Sequence, residues 1–191
     1  RFLIGLALVA LSIGGVWLVV STAGATTPML QATRTIVEGE PLASGDFQVV
    51  EVNLAGLTGD YLGPQDLRPG DVAARTVSEG ELIPATAAAD PAQMRTTTIV
   101  VESGTGIPKE VVAGTVVELW SAPPLDDGRT FESPRILVTD VIVSAVIDSE
   151  GMLASDGTSV EVVIDRADVA DVLAAITGGS VLSIVPVGAA R

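Results

Sequence analysis

Ala32–Leu42 reads ATRTIVEGEPL, and Ala73–Ile83 reads AARTVSEGELI. Aligned without gaps at an offset of 41 residues, the two stretches share Ala, Arg, Thr, Glu, Gly and Glu. Ile36/Val77 and Leu42/Ile83 are conservative pairs. Two copies are too few for a solenoid, which needs at least three. The spacing therefore predicts two related strand–turn units facing each other in one small domain. In each copy a β-branched stretch ending at Ile36 or Val77 leads into Glu-Gly-Glu. Gly39 and Gly80 are the residues that can take positive φ and turn the chain. Glu38, Gly39, Glu40 and Glu79, Gly80, Glu81 are read as the structural turns of the repeat.

Outward from the repeat, Asp46–Val52 reads as a strand. Ala55–Pro69 is turn-rich, with Pro64 and Pro69 barring a long helix. Ala85–Gln93 is low in complexity and reads as a linker. Thr96–Glu102, Thr115–Trp120, Arg135–Ile147 and Ser159–Ile164 are β-prone runs, the third long enough for one bent strand or two. Ser121–Pro134 and Ser149–Gly157 are loop and turn signals. One helix is predicted after Asp165, read as its N-cap. Val169, Val172, Leu173 and Ile176 form its apolar stripe, and Gly178 is its terminating C′ residue. Val181–Val187 is the last strand. Few aromatics lie in this half, so its core is expected to be aliphatic.

At the other end, Phe2–Val20 (FLIGLALVALSIGGVWLVV) is an uninterrupted uncharged run. As a helix it would rise ~28 Å, against a hydrocarbon core of ~30 Å. Phe2, Trp17 and Val20 are read as span residues, with Trp17 near an interface. Residues 1–25 are therefore expected to be a membrane anchor. A cleaved signal is the competing reading, because Ala23-Gly24-Ala25 fits a small-x-small cleavage pattern. The expected localisation is a single-pass membrane protein with residues 26–191 extracytoplasmic.

Charge and missing residues exclude whole classes of chemistry. The chain has 191 residues, 10 basic and 24 acidic, for a net charge of −14. Setting Arg1 aside with the apolar run leaves nine basic against 24 acidic residues, or −15. Nucleic acid is not an expected partner for so acidic a chain. With neither Cys nor His there is no disulfide framework, zinc-thiolate site, iron–sulfur cluster, thiol nucleophile or Ser-His-Asp triad. No catalytic residue, metal ligand or cofactor is expected.

Several features tempt a catalytic or ligand reading. Glu38/Glu40 and Glu79/Glu81 flank turn glycines, where solvation argues against the separated pKa values that acid–base catalysis needs. Arg34 and Arg75 are candidate contacts for a partner or an anionic glycan. The alternative is structural ion pairing across the two halves. Gly104–Lys109 lacks the third glycine of a phosphate loop and reads as a turn. Asp126-Asp127, Asp148/Glu150 and Asp156 do not match calcium-loop spacing. Trp120 ends a strand before Pro123-Pro124, and is read as core packing or a partner contact.

The repeat resembles a SAF domain, a β-clip fold of short bent strands in two similar halves. The matching positions are Arg34, Gly39, Glu40, Leu42, Asp46 and Phe47, then Gly70, Arg75, Gly80, Glu81, Leu82 and Ile83. The resemblance covers Met29–Ala88. The order of anchor, SAF domain, linker and β-rich domain resembles the Flp (tight-adherence) pilus assembly family CpaB or RcpC. Val112–Leu119, Val138–Val146 and Val160–Ser183 carry that part of the resemblance, with Glu118 where Asp is typical.

The resemblance implies a mostly β fold with one N-terminal transmembrane helix. It divides the chain into residues 1–25 (anchor), 26–88 (SAF β-clip), 89–95 (linker) and 96–191 (β-rich α+β domain with one packed helix). It implies a non-enzymatic, membrane-anchored, extracytoplasmic scaffold of the cell envelope for pilus biogenesis. The partners implied are the membrane, pilus assembly components or cell-wall polymer, with homo-oligomerisation open. The alternative is a glycan- or peptidoglycan-binding surface module outside pilus biogenesis.

Overall fold

The computed structural model describes residues 2–23, 26–54, 56–125, 130–147 and 158–188, the side chains of 18–23 aside. Among the described residues the fold is β-rich with two α-helices. Helix α1 (Phe2–Ala23) covers the apolar run. Strands β1 (Thr27–Ala32) and β2 (Phe47–Val52) form an antiparallel ribbon, and β3 (Val72–Ala73) pairs with β4 (Ala88–Ala89). The second half holds β5 (Thr96–Ser103), β6 (Val116–Ala122), β7 (Arg135–Ile147), β8 (Thr158–Asp165), α2 (Val169–Thr177) and β9 (Val181–Pro186).

The membrane reading of the N-terminus is corrected. Among the described residues no helix is long and apolar enough to cross a membrane. The transmembrane anchor over 1–25, the single-pass localisation and the membrane as partner are withdrawn on this ground. Phe2 and Trp17 are exposed. The side chain of Val20 and the cleavage site at Ala25 lie outside the described residues.

The repeat folds as two copies of one unit. Ile36 and Val77 exchange both backbone hydrogen bonds, 2.8 Å in each direction, so an approximate two-fold axis passes between them. Other contacts repeat at the 41-residue offset. Gly39 donates to Ala73 and Gly80 to Ala32; Ala73 donates to Glu40 and Ala32 to Glu81; Leu42 donates to Asp71 and Ile83 to Leu30. The 3₁₀ turns Ser44–Asp46 and Ala85–Ala87 are likewise equivalent. Gly39 and Gly80 have φ of 82° and 81°, the conformation that the Glu-Gly-Glu turn demands and that a Cβ disfavours. Ile36, Val77, Ile83, Ala32, Ala73 and Ala87 form the centre of the core between the halves.

The offset also corrects the reading of Ala85–Gln93 as a linker. Ala87 occupies the position equivalent to Asp46 and is fully buried, while Ala88 and Ala89 pair with β3. The Ala-rich segment is thus partly core, built from residues too small to give a strong pattern.

The second half is one antiparallel sheet in the order β5-β8-β7-β6-β9. It closes on itself where Gly104 N–H donates to the Leu182 carbonyl, 2.8 Å. A Cβ on Gly104 would lie 2.5 Å from Val181 Cγ1, so the seam needs a glycine there. Val117 and Leu119, Val160, Val162 and Ile164, and Leu182 and Ile184 alternate inward along their strands. Arg135–Ile147 is one strand, bent rather than broken. Its N-terminal part pairs with β6 and its C-terminal part with β8. Register shifts let Val138 and Val141, three residues apart, both face the core, with the intervening Asp140 at φ 55°. The core cluster is entirely aliphatic.

Helix α2 departs from its expected caps and stripe. Asp168, not Asp165, is the N-cap; the Asp165 carboxylate accepts from Ala167 N–H, 2.8 Å. Gly178 stays right-handed at the C-cap, and the left-handed residue is Gly179, φ 71°. Of the stripe only Val172 is buried; Leu173 and Ile176 are exposed. Ser149–Gly157 and the Asp126-Asp127, Asp148, Glu150 and Asp156 positions lie outside the described residues.

Candidate functional site

Arg34 and Arg75 occupy matched positions and make matched contacts. Arg34 pairs with Glu40, and Arg75 with Glu81 at 2.6 Å. Each also donates to the next residue's carbonyl, Thr35 or Thr76. The second carboxylate oxygen of Glu40 accepts from Val37 N–H, and that of Glu81 from Ser78 N–H. One acid therefore locks both the arginine and the turn in front of it. The expected ion pairs do form, but within each half and not across the two. Arg34 has a further partner, Asp46, at 2.8 Å; the equivalent of Asp46 in the second half is Ala87, which has no carboxylate.

The electrostatic consequences follow that asymmetry. Hydrogen bonding to Glu40 and then to Asp46 drives the Arg34 pKa upward. The Arg75 hydrogen bond, reinforced by the Ser78 N–H, holds the Glu81 carboxyl below its usual value against a smaller desolvation effect. These guanidiniums are therefore committed to the frame, and an anionic ligand would have to break existing pairs to reach them.

Near the axis of the repeat the second half of the chain makes contact. Gly114, φ 86°, sits where a Cβ would lie 3.0 Å from Thr35 Cγ2 and 3.4 Å from Thr76 Cγ2. Thr35 and Thr76 are themselves equivalent positions, so one turn packs against both copies. Thr96 Oγ1 also donates to Glu38 Oε1, 3.3 Å. Glu79, the counterpart of Glu38, is exposed.

Trp120 is half-buried and outside the core cluster, which corrects the core-packing reading. In register it lies beside Ile136 on β7 and Ser183 on β9. Its indole N–H donates to Glu118, 2.9 Å.

A groove of about 900 Å³ opens in the first half. Residues 58–71 form one part of its wall and residues 85–93 the other. Tyr61, Asp66, Arg68, Asp71, Asp90 and Gln93 supply its functional groups. Asp66 accepts from Gly63 N–H at 2.8 Å, Asp71 from Arg68 N–H at 3.2 Å, and Asp90 from Ala92 N–H at 2.8 Å. Each carboxylate thus stabilises its own turn. The guanidinium of Arg68 makes no hydrogen bond or ion pair among the described residues. Sequence reasoning passed over this groove because its walls lie some twenty residues apart and each aspartate reads alone as a turn residue. Among the described residues no group of three or more acidic side chains is placed to hold a metal ion.

No protein-family model, no curated protein and no solved structure matches the chain. The SAF and CpaB/RcpC resemblance therefore gains no support from comparison. The role in pilus assembly, which rested on that resemblance and on the membrane anchor, is withdrawn with the anchor.

Proposed function

We propose that the chain is a non-enzymatic binding module whose first domain holds a hydroxyl-rich ligand of carbohydrate type in the Tyr61–Arg68 groove. The groove carries this reading. Its chemistry is planar and polar: carboxylates, one amide, one guanidinium unpaired among the described residues, and a single aromatic ring. Such groups match alternating hydroxyl donors and acceptors, with a ring face for the apolar side of a sugar. The repeat supports the rest. Two-fold-related halves, each locked by an Arg–Glu pair, make a stiff frame for the groove. The carboxylates of the groove are tied to backbone N–H groups in turns, an arrangement suited to shape and not to proton transfer.

The test is retention of the full chain on insoluble peptidoglycan, chitin and amylose. The expected result is retention on at least one, lost in Tyr61→Ala and Arg68→Ala and kept in Arg34→Gln. Equal retention of all variants, or none for the parent, overturns the groove as the site. Release of soluble sugar from the retained polymer overturns the non-enzymatic reading.

A further inference from the structure

Asp90-Pro91 is the one Asp-Pro peptide in the sequence. It stands between β4, which ends at Ala89, and the 3₁₀ turn Pro91–Gln93 that leads to β5. Both residues are exposed. The two core clusters lie wholly on opposite sides of this bond, one within residues 30–88 and the other within 99–184.

Three features converge on the bond. The first is the side chain. Asp90 Oδ1 accepts from Ala92 N–H, 2.8 Å, which turns the carboxylate forward over its own C-terminal peptide. The second is the carbonyl. Asp90 C=O accepts from Gln93 N–H, 2.9 Å, a donor placed where negative charge grows if that carbon is attacked. The third is the proline. Its nitrogen carries no hydrogen, so it cannot attack the side-chain carboxyl and close the imide through which aspartyl residues isomerise. Attack in the other direction, by the carboxylate on the main-chain carbonyl, is the intramolecular route left open.

Asp165 supplies the comparison. Its Oδ1 accepts from Ala167 N–H at 2.8 Å and its carbonyl from Asp168 N–H at 3.1 Å, but Arg166 follows it. The other charged groups lining the groove that holds Asp90 are Asp66, Arg68 and Asp71. Asp66 and Asp71 are bonded within their own turns, and among the described residues Arg68 makes no ion pair with Asp90.

We infer that the chain cuts itself at Asp90–Pro91 in mild acid and so breaks the covalent link between its two halves. The Asp90 carboxylate attacks its own main-chain carbonyl carbon and closes a five-membered cyclic anhydride. The C–N bond breaks, and its electron pair goes to the Pro91 nitrogen, which takes a proton from the acidic solvent and leaves as a secondary amine. Water then opens the anhydride. The sum is one water consumed, a C-terminal Asp90 and a free Pro91 amine. The fold contributes by holding the carboxylate in the attacking position. The inference does not depend on the carbohydrate reading.

The experiment holds the full chain at about pH 4.5, at about pH 7.5, and at about pH 4.5 in concentrated urea, and follows fragments by intact-mass spectrometry. Fragments 1–90 and 91–191 are expected at about pH 4.5, forming at least tenfold slower at about pH 7.5 and at least fivefold slower in urea. Asp90→Glu, whose longer arm has to close a six-membered ring, and Pro91→Ala, which restores an ordinary amide, are each expected to slow the cut at least tenfold. Both substitutions fall at exposed positions, and circular dichroism checks that each variant keeps the fold. Four outcomes overturn the inference: no cut at Asp90–Pro91, a cut as fast in urea as without it, equal cutting at Asp165–Arg166, or a variant cut as fast as the parent.

Discussion

Ile36 and Val77, 41 residues apart, donate to each other's carbonyls at 2.8 Å, and both side chains are fully buried. That reciprocal pair is the centre of the first domain. Truncating Ile36 to Ala should cost about 2–5 kcal/mol, the usual range for a buried Ile whose cavity cannot collapse. Urea denaturation of both proteins checks it; a cost below about 1 kcal/mol would mean that the axis is not the core.

Gly39 and Gly80 should respond alike to substitution, because their backbones are equivalent. Ala at either position forces a Cβ into the left-handed region, at about 1–2 kcal/mol. Gly45→Ala is the contrast, since its φ is not positive and a Cβ there meets nothing; it should stay within about 0.5 kcal/mol. Thermal melts of the three variants give the comparison.

Arg34 and Arg75 should differ. Arg34 holds Glu40 and Asp46, whereas Arg75 holds Glu81 alone. Arg34→Gln is expected to destabilise more than Arg75→Gln. The side chains of the Arg75–Glu81 pair are 45% and 33% exposed, so a double-mutant cycle should return below about 1 kcal/mol after solvent screening.

The same pair gives a pH dependence. Glu81 titrates lower in the folded chain than in the unfolded one. Its contribution is therefore complete above the ordinary glutamate range near 4.3 and is lost as pH falls through the depressed folded value. Glu81→Gln should flatten the acid side of the stability curve and leave its slope above pH 6 unchanged. Denaturation at a series of pH values measures both limbs.

Closure of the second sheet rests on Gly104. Gly104→Ala should cost about 1–3 kcal/mol by driving a methyl into Val181. Trimming the neighbour in Gly104→Ala/Val181→Ala should recover part of it. If the single variant is neutral, the seam is looser than the structure shows.

Much of this architecture is legible in the chain because the repeat is written in residues with few alternatives. Glu-Gly-Glu needs a left-handed glycine, Arg finds the following acid, and Ile36 and Val77 mark the buried strand. What was illegible has a physical reason in each case. Ala87 is core although its two-fold equivalent, Asp46, is only half-buried, and an alanine announces neither strand nor core. Asp165 looks like a cap because it precedes the helix pattern, yet its carboxylate closes a turn and the helix starts four residues later. Ile176 fits the apolar stripe, but α2 lies at the end of the sheet and only Val172 reaches the interior. The bulge at Asp140 changes which residues of β7 face inward, and no periodicity reveals it. The groove joins residues 58–71 to 85–93, a juxtaposition made by the fold and absent from any local motif.

The most direct measurement for the account is an amide NMR titration of the full chain with a soluble oligosaccharide from whichever polymer retains it. The account predicts saturable shifts grouped on residues 58–71 and 85–93, abolished in Tyr61→Ala, with the sugar signals broadened but chemically unchanged. Shifts centred on Arg34 and Arg75, an absence of saturation, or the appearance of product signals would contradict it.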